Sequence, residues 1–286
     1  MSVRVAKSAG FCFGVSRAVE LVQSSAAAGK RTVTLGPIIH NRHVVEAFHQ
    51  AGVGVIDSPE EANPGDTVII RSHGVGREVY ARLEARGAEI VDATCPFVKR
   101  IHGLVSRAEE EGRLPIIIGT PTHPEVEGIA GWCTACKIFD SADSLKKWVT
   151  EERIAADLPI CMVCQTTSTE NLWKLCRNFA KKQFTNLKIF DTICKATEDR
   201  QTEAALLSRR SQAMVVVGDA KSSNTGRLAM ICREYCDRVA LVDDASELEP
   251  AFFAGITDVG ITAGASTPAW IIKEVNKTMS EITNAE

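Results

Sequence analysis

Three cysteines in this chain share one kind of position. Cys12 lies in AGFCFGVSRAVE, Cys95 in VDATCPFVKRIH and Cys194 in FDTICKATEDRQ. In each segment the cysteine stands between a strand-like run and a helical pattern. A thiol at a helix N-terminus is stabilised as the thiolate, which is a good ligand for a soft metal ion. The spacing suggests three similar α/β units that each deliver one ligand to a common centre.

Two interpretations of these cysteines follow from the residues alone. Three thiolates bound to a four-iron cluster would leave one iron without a protein ligand, and that iron would act as a Lewis acid on a substrate oxygen. Alternatively, the three are unrelated small residues of the core, because free cysteine is often buried. The shared position supports the cluster interpretation but does not decide between the two.

Two further pairs of cysteines resemble a zinc ribbon. They are Cys133-x-x-Cys136 and Cys161-x-x-Cys164. The second pair lies in PICMVCQ, an apolar strand on which residues three apart point to opposite faces. We therefore expect no structural zinc at these pairs. The other cysteines fall on helical patterns and are predicted to be core or surface thiols: Cys176, Cys232 and Cys236.

An acid/base group is offered by the segment GTPTHPEVEG. Glu125 begins a predicted helix, where a carboxylate is often only a favourable partner of the helix dipole. It also follows His123 in a loop stiffened by two prolines, which suits delivery of a proton to a leaving hydroxyl. The residues leave both interpretations open. Glu127 is the weaker candidate because it lies two residues further into the helix.

The elements that position these residues repeat a strand–loop–helix order. The runs Val68–Ile70, Ile116–Ile118 and Val215–Val217 are continuously apolar, as is typical of strands covered on both faces. Strands that alternate with helices indicate parallel sheets in α/β units. The fold class predicted from the residues is therefore α/β.

Polar residues are concentrated where the predicted strands end. In parallel sheets, ligands bind at these ends, and the helices that begin there favour anions. The alternative is that Ser, Thr and Asn are simply helix N-caps. It accounts less well for histidine in three of the loops, so we predict a phosphorylated or diphosphorylated ligand. The residues are His40, Asn41, His73, Thr120, His123, Glu125, Thr166, Thr167, Ser222, Ser223, Asn224 and Ser266.

Composition excludes several classes of protein. The 286 residues are 45% hydrophobic, enough for a substantial core, and the formal net charge is −3. Neither this charge nor the 6% aromatic content is typical of a nucleic-acid-binding protein. No apolar run approaches the ~18–20 residues that cross a bilayer. We expect a cytoplasmic protein whose ten cysteines are mostly reduced.

The motifs taken together resemble one known family. The segments GFCFGVSRAVE, GPIIHN, RSHGV, DATCPFVK, GTPTHPEVEG, QTT, DTICKAT, SSNT and TAGAS are similar, in this order, to those of the 4-hydroxy-3-methylbut-2-enyl diphosphate reductases of the non-mevalonate isoprenoid pathway. The resemblance runs from Cys12 to Ser266. It implies three similar parallel-sheet α/β domains in a pseudo-threefold arrangement around a central cluster cavity. The implied domains are 14–96, 97–193 and 194–286, with the strand in 1–13 packing on the third.

The resemblance also implies the cofactor and the roles of site residues. Cys12, Cys95 and Cys194 match the ligands of a [4Fe-4S] cluster with one open iron. Glu125 matches the proton-relay acid and Thr166 the hydroxyl beside it, and His123 is counted with them as catalytic. Positions that bind the diphosphate match His40, His73, His123, Ser222, Ser223, Asn224 and Ser266. Further pocket residues match Thr167 and Thr197.

The implied reaction is a two-electron, two-proton reductive dehydroxylation of an allylic diphosphate. The resemblance implies a ferredoxin or flavodoxin as electron donor, and we expect a monomer or weak dimer. Departures are modest: Lys195 follows the third cysteine, and the long C-terminal tail of some members is absent. A nonredox phosphotransferase is the main alternative, but the chain has no G-x-x-x-x-G-K-[ST] loop. A zinc-stabilised interaction module is the second.

Overall fold

The computed structural model describes residues 2–284 of the chain. Its strands are β1 (Ser2–Val5), β2 (Thr32–Leu35), β3 (Gly54–Ile56), β4 (Thr67–Ile70), β5 (Glu89–Asp92), β6 (Leu114–Ile118), β7 (Lys137–Phe139), β8 (Ile160–Cys164), β9 (Leu187–Ile189), β10 (Ala213–Val217), β11 (Val239–Val242) and β12 (Asp258–Ala263). Its α-helices are α1 (Phe13–Ala26), α2 (Arg42–Gln50), α3 (Arg77–Ala85), α4 (Pro96–Glu110), α5 (Pro124–Ala130), α6 (Ala142–Glu151), α7 (Glu170–Gln183), α8 (Lys195–Ser208), α9 (Ser223–Arg233) and α10 (Ala269–Asn284).

These strands form three four-stranded parallel sheets, which confirms the predicted α/β class. The strand orders are β1-β12-β10-β11, β3-β2-β4-β5 and β7-β6-β8-β9. Each sheet has its central strands covered on both faces. This is why the three apolar runs read from the sequence are fully buried, in β4, β6 and β10.

The chain separates into two compact units, and the first contains residues 1–16, 39–47 and 195–286. This unit holds the sheet that includes both β1 and β12, paired in parallel from Ser2↔Asp258 to Val5↔Ile261. Side chains of α10 cover one face of that sheet, and those of α8 and α9 cover the other. The β1 strand therefore belongs to the same sheet as the C-terminal strands.

The second unit contains residues 17–38 and 48–194 and holds the other two sheets. In the sheet β3-β2-β4-β5, buried aliphatic residues of β2 and β4 pack against Leu83 of α3. In the sheet β7-β6-β8-β9, Trp173 of α7 and Trp148 of α6 cover one face. Side chains of α4 and α5 cover the other face. The division of the chain into three domains stays a prediction.

Two glycines bring the backbone after β4 against the end of α5. A Cβ atom on Gly131 would lie 2.5 Å from the Cα atom of Gly76. The Arg77 N–H donates to the Gly131 carbonyl (3.1 Å), and the Trp132 Nε1–H donates to the Val75 carbonyl (2.9 Å). Because neither glycine has a side chain, the backbone that follows β4 can touch the backbone at the end of α5.

The cysteines of β8 alternate between faces, as predicted. Cys164 packs with the tryptophan side of the sheet, whereas Cys161 packs with the α4 and α5 side. This geometry argues against one zinc ion bound by both cysteine pairs. Cys176 and Cys232 lie within helices, as predicted, but the helical prediction for Cys236 is wrong. Cys236 follows the end of α9, where its Sγ donates to the Arg238 carbonyl (3.4 Å).

Cys133 and Cys136 lie together in the loop between α5 and β7. Their side chains form a hydrogen bond, and the Cys133 Sγ–H also donates to the Ala130 carbonyl (3.5 Å). The hydrogen bond lowers the pKa of Cys136 to about 7. The same hydrogen bond, together with burial, raises the pKa of Cys133. Cys136 is therefore the first of the two thiols to ionise.

Among residues 2–284, no α-helix combines the length and the apolar character that crossing a bilayer requires.

The contact between Gly76 and Gly131 predicts the result of a glycine substitution. Gly131→Ala should lower the free energy of unfolding by about 1–3 kcal/mol, because the added methyl group meets backbone that cannot move aside. Gly103 is the matched control: it lies exposed within α4, with no atom within 4 Å of an added Cβ. Gly103→Ala should raise stability by roughly 0.5–1 kcal/mol. Urea unfolding of both variants measures the difference, and equal stability would contradict the predicted clash.

The pKa of Cys136 predicts selective alkylation. Its reaction rate with iodoacetamide should reach half of the maximum at about pH 7, because the thiolate is the nucleophile. Cys161 and Cys176, whose pKa values are raised to about 11 by burial, should stay unreactive at that pH. Peptide mass spectrometry after timed alkylation measures each rate. In Cys133→Ala, where the thiol donor is lost, the half-maximum should move upward; an unchanged profile would contradict the role of Cys133.

Candidate active site

The first feature of the site is a buried acid that holds a hydroxyl. Glu125 is 2% exposed in the first turn of α5, and Thr166 is 6% exposed just after β8. The Thr166 N–H donates to Oε1 of Glu125 (2.6 Å), and the Thr166 Oγ1–H donates to Oε2 (2.8 Å). The carboxylate is therefore held in one orientation by both donors of a single threonine. This contact goes beyond a favourable position in the helix dipole.

His123 caps the helix that carries Glu125. Its Nδ1 accepts from the Glu125 N–H (3.1 Å), so the hydrogen of a neutral ring lies on Nε2, which is then a donor. The capping interpretation, which accounted less well for histidine, nevertheless holds for His123, because the imidazole Nδ1 can accept in the same way as a hydroxyl. The His123 ring meets the His73 ring edge to face, with centroids 5.5 Å apart. Two imidazoles of the second unit are thus adjacent.

Gln165 joins the loops that carry these residues. Its Oε1 accepts from the Thr120 N–H (3.1 Å), and its Nε2 donates to Thr167 Oγ1 (2.9 Å). Gly119 allows this contact, since a Cβ there would lie 2.8 Å from the Cβ of Gln165. Sequence reasoning did not identify Gln165 as a functional residue. The only signal was its place in the segment QTT.

Cys95 is held at the end of β5 by backbone hydrogen bonds. Its N–H donates to the Ser72 carbonyl (3.0 Å), next to His73. Asp92 Oδ1 accepts from the Thr94 N–H (2.9 Å) and so shapes the turn before the cysteine. Burial opposes ionisation of Asp92, but hydrogen bonds from Lys99 and Thr94 outweigh it and lower the pKa of this carboxyl. In the sequence, this turn is the DATC of the segment VDATCPFVKRIH.

Cys194 is held in a similar way beside the Glu125–Thr166 pair. Its N–H donates to the Thr166 carbonyl (3.1 Å). Two residues earlier, Thr192 Oγ1 donates to the Cys164 carbonyl (2.6 Å) and accepts from the Cys164 N–H (2.7 Å). These contacts fasten the loop after β9 to the end of β8. In the second unit, the backbone N–H of Cys194 therefore contacts the backbone carbonyl of Thr166, which is a predicted catalytic residue.

The remaining candidate residues belong to the first unit. Cys12 directly precedes α1, and its N–H donates to the Ala265 carbonyl (3.2 Å). The adjacent Ser266 Oγ donates to Ser222 Oγ (3.4 Å), and both serines are buried. Ser222 is the N-cap of α9, where its Oγ accepts from the Thr225 N–H (3.4 Å). The capping interpretation is therefore correct for Ser222.

Asn224 carries a buried amide donor that indicates a binding function in this unit. It is 5% exposed in the first turn of α9, and within residues 2–284 its Nδ2 has no hydrogen-bond partner. A buried amide donor without an acceptor costs free energy, so such a group usually faces a ligand or water. Ser223 is the first residue of the same helix, and Thr197 is buried in the first turn of α8.

His40 lies after β2 and before α2, in the same unit. The next residue, Asn41, caps α2 by accepting from the Val44 N–H (3.1 Å). Arg42 forms ion pairs with Asp243 (2.8 Å) and Asp244 (3.1 Å), which fix the start of this helix to the loop after β11. His40 thus precedes a helix whose start is fixed by this cap and by these ion pairs.

Comparison with known proteins identifies the family. The family model described as LytB protein matches residues 3–280. A relative from Pelobacter propionicus, named 4-hydroxy-3-methylbut-2-enyl diphosphate reductase, is 41% identical over 285 residues, covering 99% of both chains. A relative of the same name from a Nitratiruptor species is 37% identical over 283 residues, again covering 99% of each chain.

Solved structures agree with these relatives. A structure of (E)-4-hydroxy-3-methyl-but-2-enyl diphosphate reductase is 37% identical and superposes with a TM-score of 0.71, covering 98% of this chain and 100% of the other. The Plasmodium falciparum E-1-hydroxy-2-methyl-but-2-enyl-4-diphosphate reductase is 25% identical with a TM-score of 0.91, covering 99% of this chain and 88% of the other. By sequence over its full length and by fold, the chain belongs to the LytB protein family.

Proposed function

We propose that the chain reduces (E)-4-hydroxy-3-methylbut-2-enyl diphosphate to isopentenyl diphosphate and dimethylallyl diphosphate. The allylic carbon–oxygen bond breaks, two electrons and two protons are taken up, and the hydroxyl leaves as water. The observation that carries this proposal is the buried Glu125–Thr166 pair. It places an acid beside a hydroxyl at the end of a parallel strand, where ligands of this fold class bind.

The proposed ligands of a [4Fe-4S] cluster are Cys12, Cys95 and Cys194. Their chemistry fits the cluster, because each half-buried thiol directly precedes a helix, α1, α4 or α8, whose N-terminus stabilises a thiolate. When bound, the cluster supplies electrons and, at the iron without a cysteine, a Lewis acid for the substrate hydroxyl. The backbone contacts of each cysteine keep its thiol at the end of a sheet.

Glu125 is proposed to provide the proton that lets the hydroxyl leave as water. Thr166 is proposed to orient this transfer, since its hydroxyl already contacts the carboxyl group and has lone pairs left to accept from the substrate. His123 contributes through the cap that fixes the Glu125 backbone. These groups are mostly buried, which excludes water that would compete for the proton.

The diphosphate is proposed to bind to hydroxyl, amide and imidazole donors. Asn224 Nδ2 supports this, as a buried donor that needs an acceptor, and so does the start of α9, because a helix N-terminus favours an anion. Binding energy from the diphosphate would hold the hydroxyl in a reactive position. The proposed set is His40, His73, His123, Thr166, Thr167, Ser222, Ser223, Asn224 and Ser266, with Thr197 as a further pocket residue.

The electron donor is proposed to be a ferredoxin or flavodoxin, and the chain to act in the cytoplasm. The electron donor follows from the sequence resemblance, and the cytoplasmic location follows from the composition and the short apolar runs.

The cluster proposal predicts the metal content of cysteine variants. Anaerobically purified protein should be brown and contain about four irons with matching sulfide. Serine at Cys12, Cys95 or Cys194 should lose most of this iron, whereas Cys133→Ser and Cys164→Ser should keep it. Iron and sulfide analysis with an absorption spectrum measures the loss. A wild-type protein that stays colourless after reconstitution with iron and sulfide would overturn the proposed cofactor.

The role of Glu125 predicts a selective loss of turnover. In Glu125→Gln, kcat should fall about 10²–10⁴-fold with little change in KM, because the proton donor is lost while the diphosphate contacts remain. Glu127→Gln, in the same helix but exposed, is the matched control and should keep its activity. The assay uses the loaded enzyme with a reduced viologen dye as electron source. Equal kcat in the two variants would contradict the assignment.

A further inference from the structure

Arg17 connects a helix that begins at one cysteine with the loop that carries another. It lies in the second turn of α1, which starts directly after Cys12. Its Nη1 donates to the Thr94 carbonyl (3.3 Å), and its Nη2 donates to the Asp92 carbonyl (3.2 Å). Both carbonyls belong to the turn that leads into Cys95. One guanidinium group therefore binds two carbonyl oxygens of this segment, one on each side of Ala93.

Arg200 repeats this relation for a different pair of cysteines. It lies in the second turn of α8, which starts directly after Cys194, and it is 5% exposed. Its Nη2 donates to the Gly10 carbonyl (2.6 Å), two residues before Cys12. Its Nη1 donates to the Ala196 carbonyl (2.8 Å) within its own helix. The side chain thus spans from the first turn of α8 to the loop that carries Cys12.

We propose that Arg17 and Arg200 are positioning residues for the cluster, an inference that rests on the proposed function. Arg17 holds the loop of Cys95 from the helix that follows Cys12. Arg200 holds the loop of Cys12 from the helix that follows Cys194. The two arginines fix the backbone before two of the three thiols and bring positive charge to those loops.

Arginine suits this role for two physical reasons. Its planar group carries several N–H donors in fixed directions, so that it can bind two carbonyl oxygens at once, whereas lysine has a single nitrogen. Carbonyl oxygens are neutral acceptors, so these hydrogen bonds leave the positive charge of the guanidinium in place. A retained positive charge favours thiolates and the reduced, more negative form of a cluster. Lysine at these positions would therefore keep the positive charge but lose the two-carbonyl geometry, whereas glutamine would lose the charge as well.

The sequence offers a matched control in the helix that follows Cys95. Arg100 is the fifth residue after Cys95, as Arg17 is the fifth after Cys12. Arg100, however, is exposed in α4. Its position in the sequence is equivalent, but its environment is solvent. Substitution of Arg100 should therefore leave the cluster unchanged.

The test compares lysine and glutamine variants of Arg17 and Arg200 with Arg100→Gln, all as anaerobic holoprotein. Iron release to a chelator should be about tenfold faster in both kinds of Arg17 and Arg200 variant, because each loses hydrogen bonds from a charged donor. The midpoint potential, from a redox titration followed by electron paramagnetic resonance, should fall in the glutamine variants and stay near wild type in the lysine variants. Arg100→Gln should match wild type in both measurements.

The outcomes distinguish this inference from the function on which it rests. If wild-type protein binds no cluster, the proposed function fails first. If wild type binds the cluster but all Arg17 and Arg200 variants match Arg100→Gln in iron release and potential, the positioning role is overturned. Lower thermal stability with unchanged cluster properties would also overturn it, because that result reports a purely structural contact. If a glutamine variant does not fold, the lysine variant alone still tests the iron-release part.

Discussion

One backbone contact recurs at each of the three cysteines and sets the geometry of the loops around them. The amide of Cys12 donates to Ala265, that of Cys95 to Ser72, and that of Cys194 to Thr166. Each acceptor follows the strand next to the one that precedes the cysteine. The contact therefore continues the parallel ladder beyond the regular strands. Because parallel pairing fixes where each strand ends, it also fixes where each thiol is presented.

The same ladder explains how acid and hydroxyl groups meet in the second unit. Strands β6 and β8 are hydrogen-bonded neighbours; Glu125 lies in the helix that follows β6, and Thr166 lies in the loop that follows β8. The close approach depends on Gly119, where a side chain would collide with Gln165. The paired strands thus set the distance between Glu125 and Thr166, and the segments that follow the strands carry these polar side chains. This division is expected where catalytic groups must keep one orientation without the support of a bound ligand.

The sequence predicted the parts of this arrangement that depend on local pattern. Apolar runs predicted β4, β6 and β10, and the motifs placed Cys12, Cys95 and Cys194 before helices. It could not predict contacts between residues far apart in the chain. In the sequence, Arg200 is one of several charged residues in a helical pattern. In the structure it is buried and donates a hydrogen bond to the Gly10 carbonyl. The Gly76–Gly131 contact was also missed, because no local pattern relates two glycines that lie far apart in the sequence.

The pairing of β1 with β12 has a consequence for the order of assembly. Ser2 and Asp258 are hydrogen-bonded neighbours although 256 positions separate them. During synthesis β1 leaves the ribosome early, but it cannot pair until β12, its partner strand, has also been made. Closing so long a loop is entropically costly and slow. The backbone N–H of Cys12 therefore reaches its acceptor, the Ala265 carbonyl, only after β12 has been synthesised.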